Sequence, residues 1–408
     1  MKLLKTSKQW MSYFNKHFPL QNISFTHKTD RILHQLYEDI YEAHQYVKRD
    51  YRSSIHMKRI TSASQMSRPV YFHANSFPTS IQSHLEEHMK TEISFSTSLY
   101  DRKVRLIIVS EKEMNMEECV QYIKSIMLWL HIVHKYASKK CVQSITIYIY
   151  LTSLLKKLPH NATRTILDEN HVNTAFTTTC PVESEIVVFR KEEWFKVLIH
   201  ETFHNFGLDY SMMSNSSINQ CILSIFDVHS KVNSYEAYTE CWAEIMNVLL
   251  CSFTELKNKG DVDTFLRRSE EMLNVERKYS FFQMVKTLDF MGLTYKDMYS
   301  ASEVARQKRK MYKEHSNVLS YYVLKTILLN NVQGFLDWCD KHNSSLLNFT
   351  KTMVTQRSFC EFIERHYKSK SMLDGVHASE VFLGTLKRRI TPTSHVLNNM
   401  RMSICEMG

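Results

Sequence analysis

Glycine and proline are scarce in this chain, at 7 and 6 of 408 residues. Together with 21 methionines and many Leu, Lys and Glu, that shortage favours a helix-rich chain with few tight turns. Long apolar runs are missing too. Tyr321 to Asn330 is among the greasiest stretches and is too short to span a bilayer. The first ten residues, Met1 to Trp10, contain no apolar h-region, so no secretory signal is read there. The nine cysteines stand singly, in odd number and without a C-x-x-C pair. This pattern predicts reduced thiols in a cytosol-like compartment and no disulfide framework. Sequons at Asn22, Asn161, Asn215, Asn343 and Asn348 are then chance matches. There is no internal repeat and no low-complexity segment.

What is present is ordinary for a globular protein: 43% hydrophobic and 23% charged residues. A net charge of +10 permits an anionic partner. The positive residues are scattered, however, and the densest run, Arg306 to Lys310, reads as a solvated helix face. No specific nucleic-acid partner and no membrane span are expected.

The chain is long enough for two or three packed subdomains. Residues 1–88 read as a mainly helical region, 89–255 as a catalytic core and 256–408 as a C-terminal helical region. Within the core, Glu92–Ser98 and Val104–Val109 read as strands joined by a hairpin turn at Tyr100–Lys103. Met116–His134 reads as a helix and Ile145–Leu151 as a strand, a crossover that places two strands in one sheet. Asn173–Thr178 reads as a short extended piece and Glu185–Phe189 as a strand leading into the next helix. Farther on, helices are expected over Ser234–Phe253, Val262–Leu288, Tyr299–Lys313, Ser320–Trp338 and, last, Arg357–Tyr367. The basic tail from about Lys387 reads as loosely ordered.

The chain is organised around His200-Glu-Thr-Phe-His204, an H-E-x-x-H sequence. Residues four apart on an α-helix lie one above the other, so His200 and His204 can offer two imidazoles to one metal ion. Glu201 lies one step round the helix, within reach of a water on that metal. Ile199, Phe203 and Phe206 recur at i, i+4, i+7 as a buried stripe. Glu192 and Glu193 would occupy the first turn and Gly207 would stop the helix. The competing reading is an amphipathic helix with two surface histidines.

A catalytic zinc usually takes three protein ligands. Gly207 fits H-E-x-x-H-x-x-G-x-x-H, but the third-ligand position falls on Tyr210, and Asp209 is one residue early. Glu240 is the better candidate, because Glu240-Cys-Trp-Ala-Glu244 puts two carboxylates on one helix face in apolar surroundings. Glu240 would bind the metal and Glu244 would orient a ligating histidine. Glu236, one turn earlier, is the competitor.

This arrangement resembles the gluzincin branch of the zincin metallopeptidases, which carry H-E-x-x-H and a glutamate ligand on a later helix, often as E-x-x-x-D. The resemblance covers roughly residues 90 to 250, with Glu244 where an aspartate is common. It extends to uncharacterised peptidases of large DNA viruses. It implies an α+β, helix-rich fold with a zincin-like core, a small mixed sheet plus an active-site helix, followed by a helical half. It implies one Zn²⁺ per chain, a peptide substrate and Glu201 as general base. Asn173 and Ala175 loosely match the edge-strand segment that binds substrate backbone in that family. Tyr321, Tyr322 and His315 are candidate oxyanion donors, with core packing as the other reading of the tyrosines. A cytoplasmic or virion-associated location is expected. The alternative is a zincin-like structural or interaction protein without turnover.

Overall fold

The structure is a computed structural model that describes residues 2–74, 77–159, 165–388 and 394–408. The sequon at Asn161 and part of the expected connector 158–167 lie outside the described residues.

Six strands form one mixed sheet: β1 (Ile55–Arg59), β2 (Thr91–Leu99), β3 (Arg102–Ser110), β4 (Ser144–Leu151), β5 (Ala175–Thr177) and β6 (Glu183–Val188). Their spatial order is β1-β2-β3-β4-β6-β5. β2 and β3 form an antiparallel hairpin in which Leu99 faces Arg102. The turn places Tyr100 at φ 53°, a left-handed conformation that a two-residue hairpin demands. β3, β4 and β6 run parallel, and β5 closes the edge antiparallel to β6. The protein is therefore of the α+β class, rich in helix, as the composition suggested.

Strand residues alternate between the two faces of the sheet. Leu106 and Ile108 join the main core, whereas Ile107 and Val109 join a smaller cluster beneath residues 60–89. The helices of the first half are α1 (Lys5–His17), α2 (His27–Tyr46), α3 (Thr79–His88), α4 (Met116–Tyr136), α5 (Glu169–Val172) and α6 (Trp194–Asn205). Then come α7 (Ser216–Ile225), α8 (Ser234–Thr254) and α9 (Val262–Phe290). A single apolar cluster runs from Leu3 to Met407, so all three expected segments share one core. Every residue of α6 is buried, as is all of α8 from Glu236 to Phe253. Helices enclosed on all sides place any polar side chain they carry under strict pairing requirements.

Several expectations are corrected. Residues 1–88, read as mainly helical, also contain β1, an edge strand with one buried residue in five and so no clean alternation. Tyr299–Lys313 is not one helix: short helices cover Tyr295–Tyr299 and Glu303–Arg309. Ser320–Trp338 breaks into a π-helical turn, Leu319–Leu324, then Lys325–Asn330, then Val332–His342. The helix after Met353–His366, spanning Lys370–Arg388, was hidden by Gly375 and Gly384. Gly375 is there for proximity, because a Cβ would fall 2.2 Å from the Phe281 ring.

The tail is not loose. Met400 to Met407 is buried and is held by carboxylates from the core. Glu276 accepts hydrogen bonds from Ser403 Oγ (2.6 Å), the Ile404 N–H (3.0 Å) and the Cys405 N–H (2.8 Å). Glu193 accepts from the N–H groups of Met402 (3.0 Å) and Ser403 (2.7 Å). The sequence showed the tail's basic residues but not the buried carboxylates that hold its backbone. Residues 389–393 of that stretch lie outside the described residues.

The cysteines also depart from expectation. Cys141 pairs with Cys180 and Cys221 with Cys360, leaving five buried thiols. Pairing across 39 and 139 residues leaves no local spacing signal. The first bridge lies against the end of α6: Cys180 N–H donates to the His204 carbonyl at 3.2 Å, and a Cβ on Gly207 would sit 3.1 Å from Cys141 Sγ. Replacing Cys141 and Cys180 together by Ser should lower stability by about 3–4 kcal/mol, as for a closed loop of this size. Urea denaturation of the non-reduced protein reads it; an unchanged midpoint would show that this bridge does not form.

Candidate metal centre

The H-E-x-x-H segment lies on α6, which follows β6 after a short link. Glu192 and Glu193 precede the helix and do not occupy its first turn. Glu193, the residue before Trp194, has φ 57° and caps no helix N–H with its side chain. A non-glycine residue in the left-handed region is held there by its surroundings. Here the Glu193 carboxylate is fixed by Lys156 and by two N–H groups of the tail. The other end of α6 closes as a Schellman turn. Gly207 adopts φ 65°, its N–H meets the His204 carbonyl and the Leu208 N–H meets the Phe203 carbonyl.

α8 packs against α6 and brings Glu236 and Glu240 to the two histidines. His200 Nε2 lies 3.1 Å from Glu236 Oε2 and 3.1 Å from His204 Nε2. His204 Nε2 lies 3.3 Å from the same carboxylate oxygen. His200, His204 and Glu236 are all buried, and together they could hold a metal ion. The opposite edge of each imidazole is tied down. His200 Nδ1 donates to Glu240 Oε2 at 2.9 Å, and His204 Nδ1 donates to Asp209 Oδ2. A carboxylate only accepts, so each Nδ1 carries a proton, and in the neutral ring each Nε2 keeps a lone pair for a metal. Two Nε2 atoms and one carboxylate oxygen thus converge within 3.3 Å, a contact that a metal ion, or protons on the imidazoles, would satisfy. Two imidazole nitrogens and one carboxylate oxygen form a donor set suited to a borderline divalent ion.

These groups also shift one another's ionisation. Burial would raise the pKa of Glu236, but the neighbouring imidazoles outweigh it and hold the carboxyl well below its usual range. Burial would lower the pKa of His204, but Glu236 and Asp209 outweigh it and push the imidazole well above its ordinary value. Glu201 is 7% exposed. Burial raises its pKa, His200 and His204 oppose the rise, and Glu236 adds to it. Glu201 lines a cavity of about 30 Å³ with His200, Asn173, Ala175, Lys196 and Tyr321. That volume admits a water or an ion but no peptide side chain.

The remaining candidates fall as follows. Glu240 lies on the Nδ1 side of His200, away from the converging atoms, and performs the orienting task expected of Glu244. Glu244 touches neither histidine; it pairs with Lys325 at 2.7 Å, and burial raises its pKa far above the usual range. Asp209, the displaced third-ligand candidate, orients His204 instead. Tyr321 reaches the site from the π-helical turn, its hydroxyl 3.0 Å from Glu236 Oε2. Such turns are frequent at functional sites. Tyr322 points elsewhere, donating to the Met400 carbonyl, and His315 is exposed. Ala175 lies on edge strand β5. Asn173 is engaged through its side chain by Ser316 (2.7 Å) and through its carbonyl by Arg190 (3.1 Å).

Fold and site together describe an α+β protein with a buried His-His-Glu group that could hold a metal. No protein-family model, curated protein or solved structure matches the chain. Among the described residues, no helix is long and apolar enough to cross a membrane.

Glu236→Gln should abolish stoichiometric metal binding, whereas Glu240→Gln should weaken it about 10–100-fold, as loss of a ligand-orienting partner does. Metal content after dialysis against a graded chelator series distinguishes the two. Selective loss in Glu240→Gln instead would exchange the roles assigned to the two glutamates.

Proposed function

We propose that the chain is a zinc-dependent metallopeptidase of gluzincin type. The observation that carries the reading is the convergence of His200, His204 and Glu236 on one point, with Glu201 lining a cavity beside His200. The E-x-x-x-D-like element is then Glu236-Ala-Tyr-Thr-Glu240, one turn earlier than the Glu240–Glu244 pair.

His200, His204 and Glu236 would hold the zinc. Zinc there supplies Lewis acidity, acidifying a water and polarising a peptide carbonyl. Glu201 accepts a proton from the attacking water and hands it to the departing amine. Tyr321 turns its hydroxyl from Glu236 toward the developing oxyanion. The open edge of β5 at Ala175 offers backbone groups to an extended peptide. Because the Asn173 side chain is occupied by Ser316, its contribution is to hold that edge in place.

One observation favours a second reading, a metal-holding protein without turnover: the cavity of about 30 Å³ encloses no substrate side chain. Activity decides between them. A peptide library read by mass spectrometry should show cleavage by the zinc-loaded protein. A chelator should abolish cleavage and zinc should restore it. Glu201→Gln should cut the rate by about 10²–10⁴-fold, the usual contribution of a positioned proton-transfer group, with zinc content unchanged. Stoichiometric zinc without cleavage of any library peptide would favour the second reading. Tyr321→Phe should lower kcat by about 10²–10³-fold and leave metal affinity nearly unchanged, as loss of an oxyanion donor does. An unchanged kcat in single-turnover assays would remove Tyr321 from the chemistry.

A further inference from the structure

Helix α8 carries three glutamates one turn apart, Glu236, Glu240 and Glu244, and all three are buried. By sequence spacing they are equivalent. The protein treats them differently. Glu244 Oε2 accepts from Lys325 Nζ at 2.7 Å, and that lysine is 1% exposed. Glu240 Oε1 accepts from Lys196 Nζ at 2.5 Å, and that lysine is 2% exposed. Among the described residues no lysine meets Glu236. Its carboxylate is met by His200, His204 and the Tyr321 hydroxyl.

A buried ammonium is tolerated only when it is paired with a carboxylate and hydrogen-bonded. Two other buried glutamates near Lys196 have partners of their own. Glu193 is taken by Lys156 and the tail, and Glu244 by Lys325. Lys196 is therefore committed to Glu240. It lies four residues before His200 on α6, so both side chains reach across to the same glutamate. One oxygen of Glu240 holds the ammonium and the other holds His200 Nδ1. With both oxygens occupied on that side, Glu240 cannot swing to the Nε2 side of the ring.

We propose that Lys196 is a positioning residue: by anchoring Glu240 it fixes the His200 ring and leaves Glu236 as the carboxylate that binds the metal. The inference rests on the metal-site reading above. It assigns a task to a buried lysine that the H-E-x-x-H pattern does not require. Lys325 is the built-in comparison. It is equally buried and pairs with the next glutamate along α8, but that glutamate touches neither imidazole.

The test is zinc affinity, read by equilibrium competition with a chromophoric chelator on the full chain. Lys196→Met should weaken zinc binding about 10–100-fold, the usual effect of removing a group that orients a ligand. Lys325→Met should leave affinity within about threefold, whatever it does to thermal stability. The decisive comparison is Glu240→Gln with the double variant Lys196→Met/Glu240→Gln, which buries no unpaired charge and so remains informative if Lys196→Met fails to fold. If Lys196 acts through Glu240, both should bind zinc equally, because residues acting through one contact do not add. A further loss of more than about threefold in the double variant would overturn the proposal. So would an Lys196→Met protein that folds and binds zinc like wild type. Wild type that takes up no zinc would instead overturn the metal-site reading, and this inference with it.

Discussion

The structure depends on keeping polar groups paired where two fully buried helices meet. α6 and α8 are enclosed on all sides, yet together they carry two histidines, four glutamates and a lysine at their interface. An unpaired charge in such a place is strongly disfavoured. Most of these charged groups are accordingly paired. Lys196 meets Glu240, Lys325 meets Glu244, and Asp209 meets His204. At the Nε2–Nε2–Oε2 cluster Glu236 is met by the two imidazoles and the Tyr321 hydroxyl, and a metal ion would satisfy all three converging atoms at once. The group that could hold a metal thus sits within the same pairing requirement that organises the rest of the core.

That requirement extends to the carboxyl-terminal tail. Glu193 stands in a left-handed conformation just before α6, and its carboxylate receives N–H groups from Met402 and Ser403. Lys325 donates both to Glu244 and to the Met402 carbonyl, at 3.1 Å for the latter. Met402 itself lines the cavity beside His200. The last residues of the chain therefore take part in setting the start of α6, some 200 positions earlier. At the other end, the Cys141–Cys180 bridge and the Schellman turn at Gly207 set where α6 stops. Two imidazoles one turn apart need both ends fixed if their Nε2 atoms are to meet a third ligand from another helix.

Much of this was legible in the sequence because it is local. The alternation of Glu92–Ser98 and the β-branched runs in Val104–Val109 and Ile145–Leu151 gave strands, and the span between the last two gave the crossover helix. The i, i+4 spacing of His200 and His204 placed both rings on one helix face. Gly207 marked the stop because a left-handed terminus favours glycine. Ser234 was read as the start of α8, where the helix begins. The helix over Lys370–Arg388 was missed because glycine weakens the helical signal, and Gly375 is tolerated only because Phe281 lies against it.

The sequence by itself determined that an H-E-x-x-H helix follows a strand and that a glutamate-bearing helix lies downstream. It did not determine which glutamate faces the metal side. A spacing of four describes Glu236–Glu240 and Glu240–Glu244 equally well, so the choice depends on how α8 is rotated against α6. That rotation is set by packing across the whole core and by where Lys196 and Lys325 project. The pairing of Cys141 with Cys180, the burial of the tail and the arrival of Tyr321 on a π-helical turn were settled in the same way. Each depends on contacts between residues tens to hundreds of positions apart. Periodicity reports which face of an element is apolar; it carries no information about which neighbour that face will meet.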